Sequence, residues 1–174
     1  RGDNSAWSPV FTTRTMPALG PADFEAIYFA DTGLIGRTDG LATGTAQAIA
    51  EIKKLDPELL LPGGDYAYYN TDTRFGTLNN TIDQWFNQNQ SIFSRAPVMP
   101  TYGNHEVLLG EGYDAWRQRF ATPSGFNNGR NYSFDVGEVH FISILAEQNS
   151  SPLSNSSFTW LTNLSLSDLR GELS

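Results

Sequence analysis

Apolar and polar positions switch between two periods along this chain, and the switches mark its elements. Glu25-Ala26-Ile27-Tyr28-Phe29-Ala30 is a short apolar run of the kind that makes a strand buried on both faces, and it ends in the turn Asp31-Thr32-Gly33. Residues 41–55 then place Leu41, Thr45, Ile49, Ile52 and Leu55 at three- and four-residue spacing, the period of an amphipathic helix. Leu59-Leu60-Leu61 predicts a second buried strand, stopped by Pro62-Gly63-Gly64. Ile82, Trp85, Phe86, Asn89 and Phe93 share one helical face. Ala96 to Thr101 predicts a third strand, weakened by its prolines, which runs into Tyr102-Gly103-Asn104-His105-Glu106. An aromatic-rich helix follows (Tyr113, Trp116, Phe120). Asn131–Val136 and Val139–Leu145 then predict a hairpin around Gly137-Glu138. Residues 150–157 form a polar loop, and Trp160, Leu161 and Leu164 suggest a last helix. Strand–helix alternation of this kind predicts an α/β fold: a mostly parallel sheet with flanking helices and a hairpin.

The first twenty residues break this rhythm. Trp7, Val10, Phe11, Thr13 and Thr15 make a strand-like stretch, and Pro17, Gly20 and Pro21 punctuate it as a linker. A lone strand cannot fold by itself, so this segment joins the next sheet or ends another domain.

Composition narrows the chemistry. With 174 residues the chain is long enough for one core of ordinary size. It has no cysteine, which excludes a disulfide scaffold, a thiolate zinc site and a cysteine nucleophile. The formal charge of −8 argues against nucleic acid as a partner, since a phosphate backbone calls for a basic face. No apolar run approaches the ~20 residues of a membrane span. Only two histidines occur, His105 and His140, and His140 falls inside a predicted strand, where a satisfied structural histidine is the simplest reading. Six Asn-x-Ser/Thr sequons, at Asn79, Asn89, Asn131, Asn149, Asn155 and Asn163, point toward a secreted or periplasmic protein.

The candidate chemistry lies at the ends of the predicted strands. In open α/β sheets, ligands bind outside the carboxyl ends of the strands. Strand one delivers Asp31, strand two Asp65, and strand three Asn104 and His105, each flanked by a glycine. Carboxylates gathered without basic neighbours repel one another, and a cation relieves that. Asp65 can bridge two metals with its two oxygens, and a metal pair ~3.5–4 Å apart can stabilise both attacking and leaving oxygens in an in-line displacement at phosphorus. Asn104 can offer its amide oxygen to one metal. His105 can contact a phosphate oxygen or protonate a leaving alkoxide. Tyr68 has Tyr66 and Tyr69 beside it, and the three together suit an aromatic packing cluster.

At these residues the chain resembles a family. Ala30-Asp31-Thr32-Gly33, Gly64-Asp65-Tyr66-Ala67-Tyr68 and Gly103-Asn104-His105-Glu106 look like the first three of five motifs of the purple acid phosphatases, members of the calcineurin-like metallophosphoesterases. The family pattern is GDxG, GDxxY and GNH followed by Asp or Glu, then VxxH and GHxH. Ala30 stands where the first motif has glycine; the second and third match in full, and the three follow in order at spacings of 34 and 39 residues. The resemblance implies a metallophosphoesterase α/β/β/α sandwich. Residues 1–20 would be the last strand and linker of a fibronectin-like domain, and residues 21–174 the N-terminal portion of the catalytic domain.

Carried over by position, the resemblance implies a dinuclear centre of Fe(III) with a divalent Zn, Fe or Mn. Asp31 and Tyr68 would bind one metal, Asp65 would bridge, and Asn104 would bind the second. His105 would be the acid outside the metal shell, oriented by Glu106, and a metal-bound hydroxide would attack a phosphate ester in line. VxxH and GHxH, with three further histidine ligands, do not occur. The expectation is therefore that the remainder of the catalytic domain follows Ser174 and is the partner of this part. The rival expectation is a non-catalytic structural or binding module that cannot assemble the metal site alone.

Overall fold

The computed structural model describes residues 9–107, 113–123, 129–145 and 159–163. Strand β1 (Ala26–Phe29) pairs in parallel with β2 (Leu59–Pro62), in the register Ile27 opposite Leu60. Helix α1 (Thr45–Leu55) makes the crossover between them. Next come α2 (Leu78–Phe93), two short helices α3 (Asn104–Val107) and α4 (Tyr113–Arg117), and the antiparallel pair β3 (Tyr132–Val136) and β4 (Val139–Ser143). The α/β architecture is the one expected from the chain's periodicity.

The third predicted strand survives as a reduced ladder. Leu60 bridges Val98 in parallel, the Leu60 N–H donates to Pro97, and the N–H groups of Met99 and Thr101 donate to Leu60 and Pro62. Pro97 and Pro100 have no N–H, so a regular ladder cannot form along this edge. The bonds that do form are enough to carry Tyr102-Gly103-Asn104 to the same end of the sheet as Asp31 and Asp65.

Side-chain alternation in β2 divides the core. Leu60 faces Ile49 and Ile52 of α1 and Ile92 of α2, whereas Leu59 joins Met99, Tyr132 and Val136 on the hairpin side. Burial on both faces, predicted for both strands, holds only for β2. In β1, Ile27 and Phe29 pack against the helices, but Ala26 and Tyr28 are exposed, because nothing in the described residues covers that side of this edge strand. A third cluster gathers Tyr66, Trp85, Trp116 and Phe120 with Leu34, Ile82 and Tyr102.

Other boundaries moved for local reasons. α1 begins at Thr45, because Ala42 adopts φ +55 and residues 41–44 turn; Leu41 is therefore an exposed loop residue rather than part of the helix face. α2 starts four residues before Ile82, capped by the Thr77 side chain, which accepts from the Asn80 N–H. The hairpin closes through Gly137 at φ +59, first of two loop residues, as a type II′ turn requires. Residues 9–15 of the expected first strand pair with no other strand. Arg14 instead ties this segment to Asp56 and Glu58, and its N–H donates to the Arg95 carbonyl. Trp7 and residues 150–157 lie outside the described residues, and of the last helix residues 159–163 are helical.

Burial sorts the sequons. Asn89 is buried with its Nδ2 donating to the Trp85 carbonyl at 2.8 Å, and Asn131 is buried with its Oδ1 accepting from the Leu145 N–H at 2.7 Å. Asn79 and Asn163 are exposed, while Asn149 and Asn155 lie outside the described residues. Expressed through a eukaryotic secretory pathway, the chain should carry glycans at Asn79 or Asn163 and none at Asn89 or Asn131. Glycopeptide mass spectrometry checks this, and a glycan at Asn89 would contradict the packing of α2.

Candidate active site

The three sheet-end loops are bound to one another by backbone and carboxylate groups. The Asp31 N–H donates to the Gly64 carbonyl at 3.1 Å, joining the first loop to the second. Glu106, fully buried, joins the second to the third: its Oε2 accepts from the N–H groups of Asp65 (2.8 Å) and Gly103 (2.9 Å), and its Oε1 from that of Tyr66 (2.9 Å). Burial pushes the Glu106 carboxyl above its usual range, the three N–H groups hold it down, and the Asp65 charge pushes it up again. The Asp65 Oδ1 in turn accepts from the His105 N–H at 3.1 Å.

Glycine is required where these loops touch. A Cβ on Gly103 would stand 2.0 Å from Asp65 Oδ1, and one on Gly64, which has φ +102, would stand 2.3 Å from the Gly103 nitrogen. Neither is a distance real atoms keep. The backbone is strained at the candidate ligands themselves. Five non-glycine residues among those described have positive φ, and three of them are Asp31 (+54°), Asp65 (+55°) and Tyr68 (+54°). Such conformations cost about 1–3 kcal/mol each and cluster at functional sites. For a bulky tyrosine the conformation is uncommon.

Side chains complete the cluster. The Tyr68 hydroxyl donates to Asp31 Oδ1 at 2.8 Å. Partial burial raises the Tyr68 pKa most, and the bond to Asp31 raises it further, so the phenol keeps its proton while no cation is present. The Tyr68 ring lies 4.2 Å from the His105 ring, centre to centre. Tyr68 therefore belongs to the site, whereas Tyr66 packs in the core against Trp85 and Trp116. Asn104 opens α3 between Gly103, whose N–H is held by Glu106, and His105, whose N–H is fastened to Asp65 of the second loop. All six residues singled out in the sequence, Asp31, Asp65, Tyr68, Asn104, His105 and Glu106, thus meet at one sheet edge.

One expected contact is replaced. Glu106 spends its carboxylate on backbone N–H groups, and the His105 ring pairs instead with Asn70, whose Oδ1 lies 2.7 Å from Nδ1. An amide oxygen only accepts, so Nδ1 carries a hydrogen and Nε2 is the nitrogen left for a ligand. Asn70 went unnoticed in the sequence; its position two residues after Tyr68 was the available signal. His140, as expected of a strand histidine, pairs across the hairpin with Asp135 at 2.6 Å.

The donor set suits hard cations: two carboxylates, a phenol and an amide oxygen. A cation taking the place of the proton shared by Tyr68 and Asp31 would be met by both oxygens. Among the described residues no three His, Cys, Asp or Glu side chains converge to hold a metal.

Comparison with known proteins decides the family. The model for the calcineurin-like phosphoesterases matches residues 27–171, most of the chain. This chain belongs to the calcineurin-like phosphoesterases. Within the family it is similar to purple acid phosphatase 15 of Arabidopsis thaliana, at 29% identity over 166 residues that cover 81% of this chain and 30% of that protein. It is also similar to acid phosphatase type 7 of Danio rerio, at 32% identity over 84% of this chain and 30% of the relative. The fold matches that of the purple acid phosphatase PPD1 from yellow lupin seeds with a TM-score of 0.58, at 21% identity, over 79% of this chain and 27% of that one. This phosphoesterase chain spans under a third of the length of these relatives. No helix among its described residues is long and apolar enough to cross a membrane.

Proposed function

We propose that this chain is the N-terminal portion, from about residue 21, of the catalytic domain of a metal-dependent phosphoric ester hydrolase of the acid phosphatase type. The observation that carries the reading is the concentration of left-handed backbone at Asp31, Asp65 and Tyr68, with Gly64, Gly103 and Glu106 locking the loops that hold them. Strain kept at three oxygen donors on one sheet edge has no use in packing and an evident one in ligation.

In this reading Asp31, Asp65, Tyr68 and Asn104 would hold a pair of cations, with Fe(III) favoured by the tyrosine and a divalent Zn, Fe or Mn as its companion. When bound, the pair would supply the positive charge that acidifies water and neutralises the phosphoryl oxygens. The protein's own part is positional. Glu106 fixes the loops, Asn70 turns the His105 ring, and His105 presents Nε2 to the ester, where a proton can pass to the leaving oxygen. An exported location belongs to the same proposal and rests on the exposed sequons.

A second reading is favoured by the lack of any converging three-residue His, Cys, Asp or Glu group among the described residues: the chain alone is a binding or structural module. One experiment separates the two. The chain is mixed with Fe(III) and Zn(II), excess metal is removed, and bound metal, visible absorption and p-nitrophenyl phosphate hydrolysis are measured. Stoichiometric metal, a tyrosinate band and turnover, all lost in Asp65→Ala, are the expected results. Neither metal nor turnover would overturn the claim that this portion forms a working site.

A further inference from the structure

A pocket of about 140 Å³ opens beside the candidate ligands, walled by Asp31 and Tyr68 on one side and by Gly33, Arg37, Leu41 and Ala42 of the following loop on the other. Its volume admits a group of several heavy atoms. The loop is fixed before any ligand arrives. Arg74 donates to the carbonyls of Leu34 and Ile35, Gln88 accepts from the Ile35 N–H, and Arg74 is itself paired with Asp72. A preformed wall of this kind gives up little entropy on binding.

Arg37 is the one cationic residue of that wall, and its side chain is only 3% exposed. Its guanidinium is held in a fixed pose. Nε and Nη2 fork onto Asp39, and Nη1 and Nη2 fork onto the Thr71 hydroxyl at 3.2 Å each. Two forks sharing Nη2 use four of the five N–H bonds of a guanidinium and leave the outer hydrogen of Nη1 without a partner among the described residues. Leu41 and Ala42 supply apolar surface beside it.

We propose that this pocket receives the leaving group of the ester and that Arg37 selects leaving groups carrying a second anionic group, a carboxylate or a further phosphate. The inference rests on the phosphoesterase reading of Asp31 and Tyr68, since only that reading puts the scissile phosphate next to the pocket. A second anion a few bonds from the phosphorus then meets the spare N–H of Arg37, while the short carbon chain between them lies along Leu41 and Ala42. An uncharged leaving group of the same length gains the apolar contact alone.

The test compares two non-hydrolysable probes of matched length, 3-phosphonopropionate and propylphosphonate, titrated calorimetrically into the full chain loaded with Fe(III) and Zn(II). Wild type is expected to prefer the carboxylate probe by about tenfold, the scale of one charge-assisted hydrogen bond. Arg37→Gln should cut that preference, read as the ratio of the two affinities within each chain, to about twofold or less. Chelation of metal by the carboxylate is common to wild type and variant, so only the difference between them counts. Leu41→Asp, an exposed substitution that keeps the backbone N–H through which residue 41 bonds Asp39, should repel the second anion and lower the preference as well. A preference that survives both substitutions overturns the inference, as does an equal loss for both probes in Arg37→Gln. Failure to take up metal, read separately from metal content, overturns the phosphoesterase reading and this inference with it.

Discussion

Glu106→Ala is expected to lower stability by about 3–5 kcal/mol, because one buried and two half-buried backbone N–H groups lose their acceptor and each orphaned donor costs roughly 1–3 kcal/mol when buried. The three belong to Asp65, Tyr66 and Gly103, so the damage falls on the junction of the second and third loops. Thermal melts should therefore fall by roughly 10 °C or more, since ~1 kcal/mol moves the Tm of a chain this size by about 2–4 °C. Metal uptake should fall with it, as Asp65 and Asn104 lose their common frame. Glu106→Gln separates charge from shape. It keeps one oxygen for the Tyr66 N–H but turns an NH₂ toward the Asp65 and Gly103 N–H groups, so donor faces donor. A loss of about 2 kcal/mol is expected there, since a mismatched buried group forfeits its desolvation cost. A Glu106→Gln chain with the wild-type melt and wild-type metal content would show that Glu106 is not the clamp.

The buried position of Glu106 explains why the sequence showed so much of the site yet misread that residue's task. Asp31, Asp65 and Asn104 were legible because each follows an apolar run, and the carboxyl ends of parallel strands meet at one edge wherever a crossover helix connects them. Tyr68 stood out only through the resemblance of Gly64-Asp65-Tyr66-Ala67-Tyr68 to a family motif. The hidden parts are partners at long sequence separation. Asn70 reaches His105 across 35 residues, Glu106 reaches Asp65 across 41, and Arg37 reaches Thr71 across 34. A periodicity argument sees one element at a time and has no term for such pairs. The fold divides in the same way. β2, both helix faces and the hairpin were readable from local pattern, whereas the exposure of Tyr28 and the reduction of residues 96–101 depend on what lies beside them. Leu41 fits the helical period of α1 yet stands outside it, because positive φ at Ala42 breaks the helix before tertiary packing can use that residue.

Trp85→Ala should have an effect as large as Glu106→Ala, and from the opposite direction, through the core. Trp85 is fully buried and touches Tyr66, Phe86, Phe93, Trp116 and Phe120, so truncation leaves a cavity that its aromatic neighbours cannot close. A loss of about 3–5 kcal/mol is the usual outcome for such a change, out of a total of roughly 5–15 kcal/mol for a folded domain. The indole also has a specific bond. Its Nε1 donates to the Thr32 hydroxyl at 2.9 Å, and Thr32 directly follows Asp31. Trp85→Phe keeps most of the packing and removes that bond, for an expected loss of about 1–2 kcal/mol, one net hydrogen bond plus a small void. The two variants should therefore differ in kind. If Thr32 is what carries rigidity from the aromatic core to the first loop, Trp85→Phe will weaken metal binding more than its small change in Tm suggests, while β1 and α2 stay folded by circular dichroism. Metal affinity that merely tracks Tm across Trp85→Phe and Trp85→Ala would show instead that the core supports the site only by keeping the domain folded.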